Sequence, residues 1–252
     1  VGQQILRAQL AALALTSVAW AQADKPAPRT DENSRIAHQQ LLEKAKRGGI
    51  DVYFEGDSIT RRWGAMDYPE FLANFRQNFF GWNAADFGWG ADAVENILWR
   101  LENGELDGVN PKVIVLLAGT NNVGNRAPAD PAAKIADVSR GLEAVVRVMQ
   151  AKAPNATIVV TAIFPRYDNP AVMPVIDGIN SNLAKLADGK KVRYLNVNSK
   201  IRPETLNPDK LHPALPAYQI WADALKPIFT ELLGPPAKED HAPPPTGDPS
   251  KR

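Results

Sequence analysis

Ser58 stands at the end of an apolar run, while Asp209 and His212 share a polar segment near the other end of the chain. Together they have the residue types from which nucleophilic acyl chemistry could be assembled. A serine hydroxyl attacks an acyl carbon only where a base takes its proton and fixed donors hold the developing oxyanion. His212 is the natural base. Asp209, three residues earlier, can bond the ring nitrogen facing away from the serine, fixing the tautomer and stabilising the imidazolium. The oxyanion donors would be the side-chain amide of Asn121 and the backbone N–H groups of Ser58 and Ala91, which stand where helices should start. Each residue also has a plainer reading. Asp57 and Ser58 are favoured helix caps, Asn121 could close a turn as its neighbour Asn122 is better placed to do, and a lone histidine is commonly a surface or satisfied core residue. The carboxylate beside His212 is what favours chemistry.

The elements that must bring these residues together alternate along the chain. Val52-Tyr53-Phe54-Glu55 is strand-like and stops at Gly56-Asp57-Ser58, with a short helix expected over Thr60 to Trp63. Gly-Asp-Ser is not the G-x-S-x-G elbow, so an α/β-hydrolase fold is not implied. A second strand, Asn83 to Phe87, ends in Gly88-Trp89-Gly90-Ala91, after which Asp92-Ala93-Val94-Glu95 has capping-box spacing and Val94, Ile97, Leu98 and Leu101 recur with helical period. Gly88 and Gly90 are either turn geometry alone or a way to leave backbone N–H groups facing an anion. A third strand, Lys112 to Ala118, is apolar throughout, as strands buried on both faces are, and ends in Gly119-Thr120-Asn121-Asn122. Thr157 to Ile163 and Val192 to Val197 complete five strands.

Between them, helices are expected from Thr30 or Asp31 to Arg47 with Ile36, Leu41, Leu42 and Ala45 on one face, from Pro69, and from Asp130 and Pro131 up to Pro154. Further helices carry Ile176, Ile179, Leu183 and Leu186, and, from about Pro216, Tyr218, Ile220, Trp221 and Leu225, with a kink or restart at Pro227. Trp63, Phe71 and Phe75 read as core. The fold class is α/β: a three-layer α/β/α sandwich with a five-stranded parallel sheet, its sites at the carboxyl ends of the strands. All the candidate polar residues fall there.

A chain of 252 residues, 44% hydrophobic and 23% charged, can bury one sizeable core. A formal charge of +1 and no basic run with interleaved aromatics argue against nucleic acid. Without cysteine there is no disulfide or thiolate nucleophile, and His38, His212 and His241 have no metal-ligand spacing. Residues 1–23 read as a signal peptide: Arg7, a short apolar run, then A-x-A sites. The run is too short to span a membrane, so no stable membrane insertion is expected. A domain over 24–233 and a disordered, proline-rich tail over 234–252 follow from composition.

Gly56-Asp57-Ser58, Gly88-Trp89-Gly90-Ala91-Asp92, Gly119-Thr120-Asn121-Asn122 and Asp209-x-x-His212 resemble, in order and spacing, the blocks of the SGNH (GDSL) hydrolases. The stretch from Asp86 to Asn122, with Ile97-Leu98-Trp99-Arg100-Leu101 and Asn103-Gly104-Glu105-Leu106, is especially similar to the catalytic subunits of platelet-activating-factor acetylhydrolase and their bacterial relatives. The resemblance, over roughly Ile50 to Leu233, implies a flavodoxin-like fold and a cofactor-free esterase. Ser58 would be the nucleophile, His212 the base, Asp209 its orienting acid, and Asn121 with the amides of Ser58 and Ala91 the oxyanion hole, while Asp57, Trp89 and Gly90 would face substrate. Short acyl esters, sugar O-acetyl groups included, are the expected substrates, because no apolar lid insertion for long chains is evident. A catalytically silent relative binding glycans or lipids is the alternative. A secreted or periplasmic location and a homodimer fit the same reading. In one place the chain departs from the family: Ala91 stands where the family usually has glycine. The capping-box spacing just after it leads to the expectation of an ordinary negative φ.

Overall fold

The computed structural model describes residues 22–251, so the expected signal peptide falls outside them except for its last two positions. The strands are β1 (Val52–Gly56), β2 (Ala84–Asp86), β3 (Val113–Leu117), β4 (Thr157–Thr161) and β5 (Val192–Leu195). They form one parallel sheet in the order β2-β1-β3-β4-β5, with Val52 opposite both Ala84 and Val113, and Gly56 opposite Leu117. Every residue of β1, β3 and β4 is buried, as a parallel sheet covered on both faces requires.

Helices cover both faces: α1 (Glu32–Arg47), α2 (Ser58–Gly64), α3 (Pro69–Phe79), α4 (Val94–Arg100), α5 (Thr120–Val123), α6 (Pro131–Lys152), α7 (Met173–Ala184) and α8 (Leu215–Leu233). Alternation along the strands divides the core. Tyr53, Ile114, Leu116, Ile158 and Val160 pack with the apolar stripes of α4, α6 and α7. Phe54, Val113, Val115, Leu117 and Val159 meet Trp63, Phe75, Phe79, Trp221 and Phe229 on the other face. The expected sandwich and its five strands are present, and Asp31 and Asp130 cap α1 and α6. Among the described residues no helix is long and apolar enough to cross a membrane.

Several local expectations change. Ile36 is 43% exposed, and α1 instead turns His38, Leu41, Lys44 and Ala45 inward, because a polar cluster lies beneath it. The helix after the second turn starts at Val94, one turn-residue later than the capping-box spacing implied. The Ala93 amide donates to the Asn96 side chain at 2.9 Å, while Asp92 points into the protein and Glu95 is bonded by Asn122. After α4 the chain widens through Leu101–Glu105, where Gly104 takes a φ of +110°, and this carries Glu105 into the interior. α8 continues through Pro227, its two halves held by the buried Tyr218, Trp221, Leu225 and Phe229.

The tail is not loose over its described length, contrary to the compositional expectation. Ala237 and Asp240 bond both backbone groups of Gly81, His241 donates to Asn83 at 2.7 Å, and Met66 donates to the Thr246 carbonyl at 3.1 Å. Asp248 takes the Asn33 amide at 2.9 Å. A Cβ on Gly81 would collide with the Ala237 carbonyl, so the glycine provides the seat. Specific hydrogen bonds thus replace the missing apolar burial.

Candidate active site

β1 delivers Ser58 directly to the first turn of α2. The approach is tight: a Cβ on Gly56 would collide with Thr60 Oγ1 and the Leu117 carbonyl, and one on Gly88 would lie 2.5 Å from the Arg61 amide nitrogen. Only glycine lets β1, β3 and the turn after β2 come together under α2. From the opposite end of the chain, the loop before α8 brings His212, whose Nε2 lies 2.9 Å from Ser58 Oγ. The His212 Nδ1 is 2.7 Å from Asp209 Oδ2, while Asp209 Oδ1 accepts the amides of His212 at 2.9 Å and Leu211 at 3.1 Å. The carboxylate is therefore locked to the backbone of the histidine it orients.

The electrostatics suit a base. Burial lowers the pKa of His212 from the ordinary imidazole value, and Arg62 and Arg166 push the same way against Asp209. Burial alone would raise Asp209, but the amides of His212 and Leu211 and the imidazole ring hold its carboxyl below the usual range. The ring is thus neutral at neutral pH, with Nε2 free to accept a proton while Nδ1–H donates to a carboxylate.

Donors gather at the ends of the neighbouring strands. The Trp89 amide donates to the Gly56 carbonyl at 3.0 Å, fastening the turn after β2 to β1. Ala91, on that turn, and Asn121, in α5 after β3, are both exposed. Asn121 uses one N–H of its side chain on the Asp92 carbonyl at 2.8 Å, which aims the side chain and leaves its second N–H. Among the described residues, the backbone amides of Ser58 and Ala91 donate to no protein acceptor. Asn122 does different work: it accepts the Val94 amide at 2.8 Å and donates to Glu95 at 2.7 Å, pinning the start of α4.

The family model of the GDSL-like lipase/acylhydrolase family matches residues 54–220. The chain belongs to that family. It is 35% identical over 140 residues to the platelet-activating factor acetylhydrolase IB subunit alpha2 of Homo sapiens, covering 56% of this chain and 55% of that one. The chain thus spans about half the length of the relatives it matches. Among solved structures, a GDSL-like lipase from Bacteroides thetaiotaomicron superposes with a TM-score of 0.60 at 17% identity, covering 78% of this chain and 98% of that one. An acetyl-xylooligosaccharide esterase from Geobacillus Stearmophilus does so at 0.54 and 16%, covering 74% and 95%. At these identities the superpositions show the shared fold.

In this GDSL-family chain three expectations need correcting. Asp57 does not face substrate: it is wholly buried, its Oδ1 caps α2 by accepting the Ile59 amide at 2.9 Å, and its Oδ2 has no partner. Burial pushes its carboxyl up to about 7, with Asp92 adding to the rise against the Ile59 amide. Trp89 does not face substrate: it is 7% exposed, donates to Ser34 Oγ at 2.8 Å, and carries the Arg61 guanidinium 4.8 Å over its ring. Ala91 has a φ of +63°, the left-handed region, not the negative angle expected. Gly90 stays at the rim, its carbonyl accepting from Arg29 at 3.1 Å and its Cα facing open space.

The sequence reading missed a buried cluster behind the turn. Arg100 donates to Glu55 and Asp92, each at 2.7 Å, to the Phe87 carbonyl at 3.0 Å, and to Glu105. His38 meets Glu105 at 2.6 Å. The available signal was Glu55, a charged residue inside a strand otherwise made for burial, together with Arg100 and Glu105 flanking the buried Leu101.

Proposed function

We propose that this protein is a serine esterase for short acyl, acetyl-type esters, with O-acetylated sugars within its range. The observation that carries the reading is the continuous relay from Ser58 Oγ through His212 to Asp209, at 2.9 and 2.7 Å. In the first half-reaction His212 Nε2 takes the Ser58 proton as Oγ bonds to the acyl carbon. The carbonyl oxygen becomes an oxyanion facing the amides of Ser58 and Ala91 and the free N–H of Asn121. The imidazolium, balanced by Asp209, then gives its proton to the departing alcohol and leaves an acyl-serine. Water repeats the sequence, with His212 as base, and releases the acid.

The acetylhydrolase and acetyl-xylooligosaccharide esterase activities named for the similar proteins support the acetyl preference, and the rim at half-buried Gly90 and exposed Ala91 accommodates a bulky alcohol half. Hydrolysis of aryl esters graded from acetyl to dodecanoyl, beside acetylated xylo-oligosaccharides, should show highest turnover on the shortest acyl group and none in Ser58→Ala. A phosphonate probe should label Ser58 stoichiometrically. Binding of the sugars without turnover, in protein that also takes no label, would assign the cleft to a silent binder. Export through the leader belongs to the same reading. N-terminal sequencing of secreted protein should find an end near Gln22 or Asp24; a chain beginning at Gln22 retains Ala23, which packs against Gly141 and donates to Asp137 at 3.3 Å.

A further inference from the structure

Alanine at a φ of +63° is strained, because Cβ crowds the following carbonyl. Such a conformation persists only where its surroundings over-determine it. On its N-terminal side, Ala91 belongs to the turn fastened to β1 through Trp89 and Gly56. On its C-terminal side the next residue, Asp92, is wholly buried and gripped by Arg100 Nε at 2.7 Å. The same guanidinium holds Glu55 through Nη2 at 2.7 Å, and Glu55 lies three residues before the nucleophile on β1. One planar cation therefore links the strand that presents the Ser58 amide to the turn that presents the Ala91 amide.

The rest of the cluster keeps that cation in place. Glu105, itself met by His38, and the Phe87 carbonyl occupy Nη1, and Tyr53 donates to Glu55 at 3.3 Å. Arg29 reaches the outer oxygen of Asp92 at 3.3 Å, and Asp92 passes its hold on through its carbonyl, which accepts from Asn121. The Ala91 and Asn121 donors are thus tied to Arg100 through Asp92, and the Ser58 amide through Glu55, three residues earlier in the chain. A lysine has the charge but not the fork, and cannot hold Glu55, Asp92 and Glu105 at once.

We infer that Arg100 is a positioning residue for the oxyanion hole: by clamping Glu55 and Asp92 it holds Ala91 in the left-handed conformation that aims its amide at the same point as that of Ser58. The inference rests on the reading of Ser58 as nucleophile, whose own failure would appear as unchanged turnover in Ser58→Ala, a result no Arg100 variant affects.

The test is a double-mutant cycle of Arg100→Lys and Ala91→Gly, read as kcat and KM on an aryl acetate, with thermal unfolding recorded for each protein. Glycine adopts a positive φ without being forced, so it should relieve the need for the clamp. A donor displaced by about 1 Å costs up to ~10² in rate. Arg100→Lys should therefore lower kcat by ~10²-fold with KM within about threefold of the parent. Ala91→Gly should recover about fivefold or more of that loss in the Arg100→Lys background. A role confined to stability would not give that background-specific recovery. Turnover of folded Arg100→Lys within threefold of the parent, or the same fractional loss with and without Ala91→Gly, would overturn the inference. If Arg100→Lys does not fold, Glu55→Gln, which keeps the shape and removes one clamped charge, runs the same cycle with the same two readings.

Discussion

The proposed base side of the cleft is a single loop: Asp209 and His212 lie three residues apart, bonded to each other and to their own backbone, with the Asp209 side chain 43% exposed. The donor side is assembled from the ends of β1, β2 and β3, with α1, α4 and the widened turn after α4 supplying the charges that lock it from beneath. The loop can lose a side chain without disturbing the core, whereas the donor side shares its supports with the core. Chemistry that needs one movable proton acceptor tolerates a surface loop; chemistry that needs dipoles aimed before charge develops requires a rigid mount.

The largest effect belongs to the loop. His212→Ala should lower kcat by about 10⁴-fold or more while leaving the melting temperature nearly unchanged, as activity assays and calorimetry on the same preparation would show. A large loss of stability would break the contrast, since it would make the loop part of the core's support.

Next come the two adjacent asparagines. Asn121→Ala should lower kcat by about 10²–10³ with little change in KM, because an oxyanion donor acts mainly in the transition state. Asn122→Ala should instead cost about 1 kcal/mol of stability through its lost bonds to Val94 and Glu95 and leave most of kcat. Equal kinetic effects from both would mean that the wrong amide had been assigned to the hole.

The same contrast explains what the sequence revealed. Strands ending in glycine, the helix caps at Asp31 and Asp130, and the Asp209–His212 pair are local patterns, and local chemistry writes them into neighbouring positions. The Arg100 cluster joins residues up to 67 apart in sequence, as His38 and Glu105 are, and no short-range spacing encodes it. The misjudged φ of Ala91 has the same origin. Asp92-x-x-Glu95 has the spacing of a cap, but an aspartate drawn into a buried arginine is not free to cap a helix. Asp57 was misread for a related reason: its neighbour Ser58 reaches the cleft, yet at a strand-to-helix turn adjacent side chains point apart. The tail escaped a compositional argument because its order comes from hydrogen bonds to Gly81, Asn83 and Asn33 and not from apolar area.

The two sides should also titrate different properties. Asp57 has a folded-state pKa raised from 3.8 to about 7 by burial. Between those values the folded state binds the extra proton, so its contribution to stability is complete below the lower value and is lost as pH rises to the upper one. Asp57→Asn should remove that slope, improving in stability relative to the parent between about pH 4.5 and pH 7.5 in parallel denaturant titrations; an unchanged difference would show that Asp57 does not titrate there. On the base side, Arg62 lies 3.7 Å from Asp209 and helps to hold His212 low. Removing that cation favours the imidazolium, so Arg62→Ala should move the acid limb of kcat/KM to higher pH by a few tenths of a unit. A shift to lower pH would mean that the lost restraint on Asp209 outweighs the lost charge.

The smallest effect tests whether the donor side is held against strain. Replacing Ala91 by glycine relieves about 1–2 kcal/mol of left-handed crowding, and adds about 0.4–1 kcal/mol of unfolded-state freedom that opposes folding. The balance is a gain of about 0.8 kcal/mol, or about 2–3 °C in melting temperature for a chain of this size. Turnover should scarcely change, because the amide is already aimed and the clamp that aims it is intact. Had φ been negative, the same substitution would destabilise, since only the unfolded-state contribution would remain. Calorimetry therefore reads the sign of one backbone angle. A gain in stability with a gain in kcat of tenfold or more, about 1.4 kcal/mol at the transition state, would show that the alanine had been holding the donor off its target, and that the buried mount is less exact than the loop it faces.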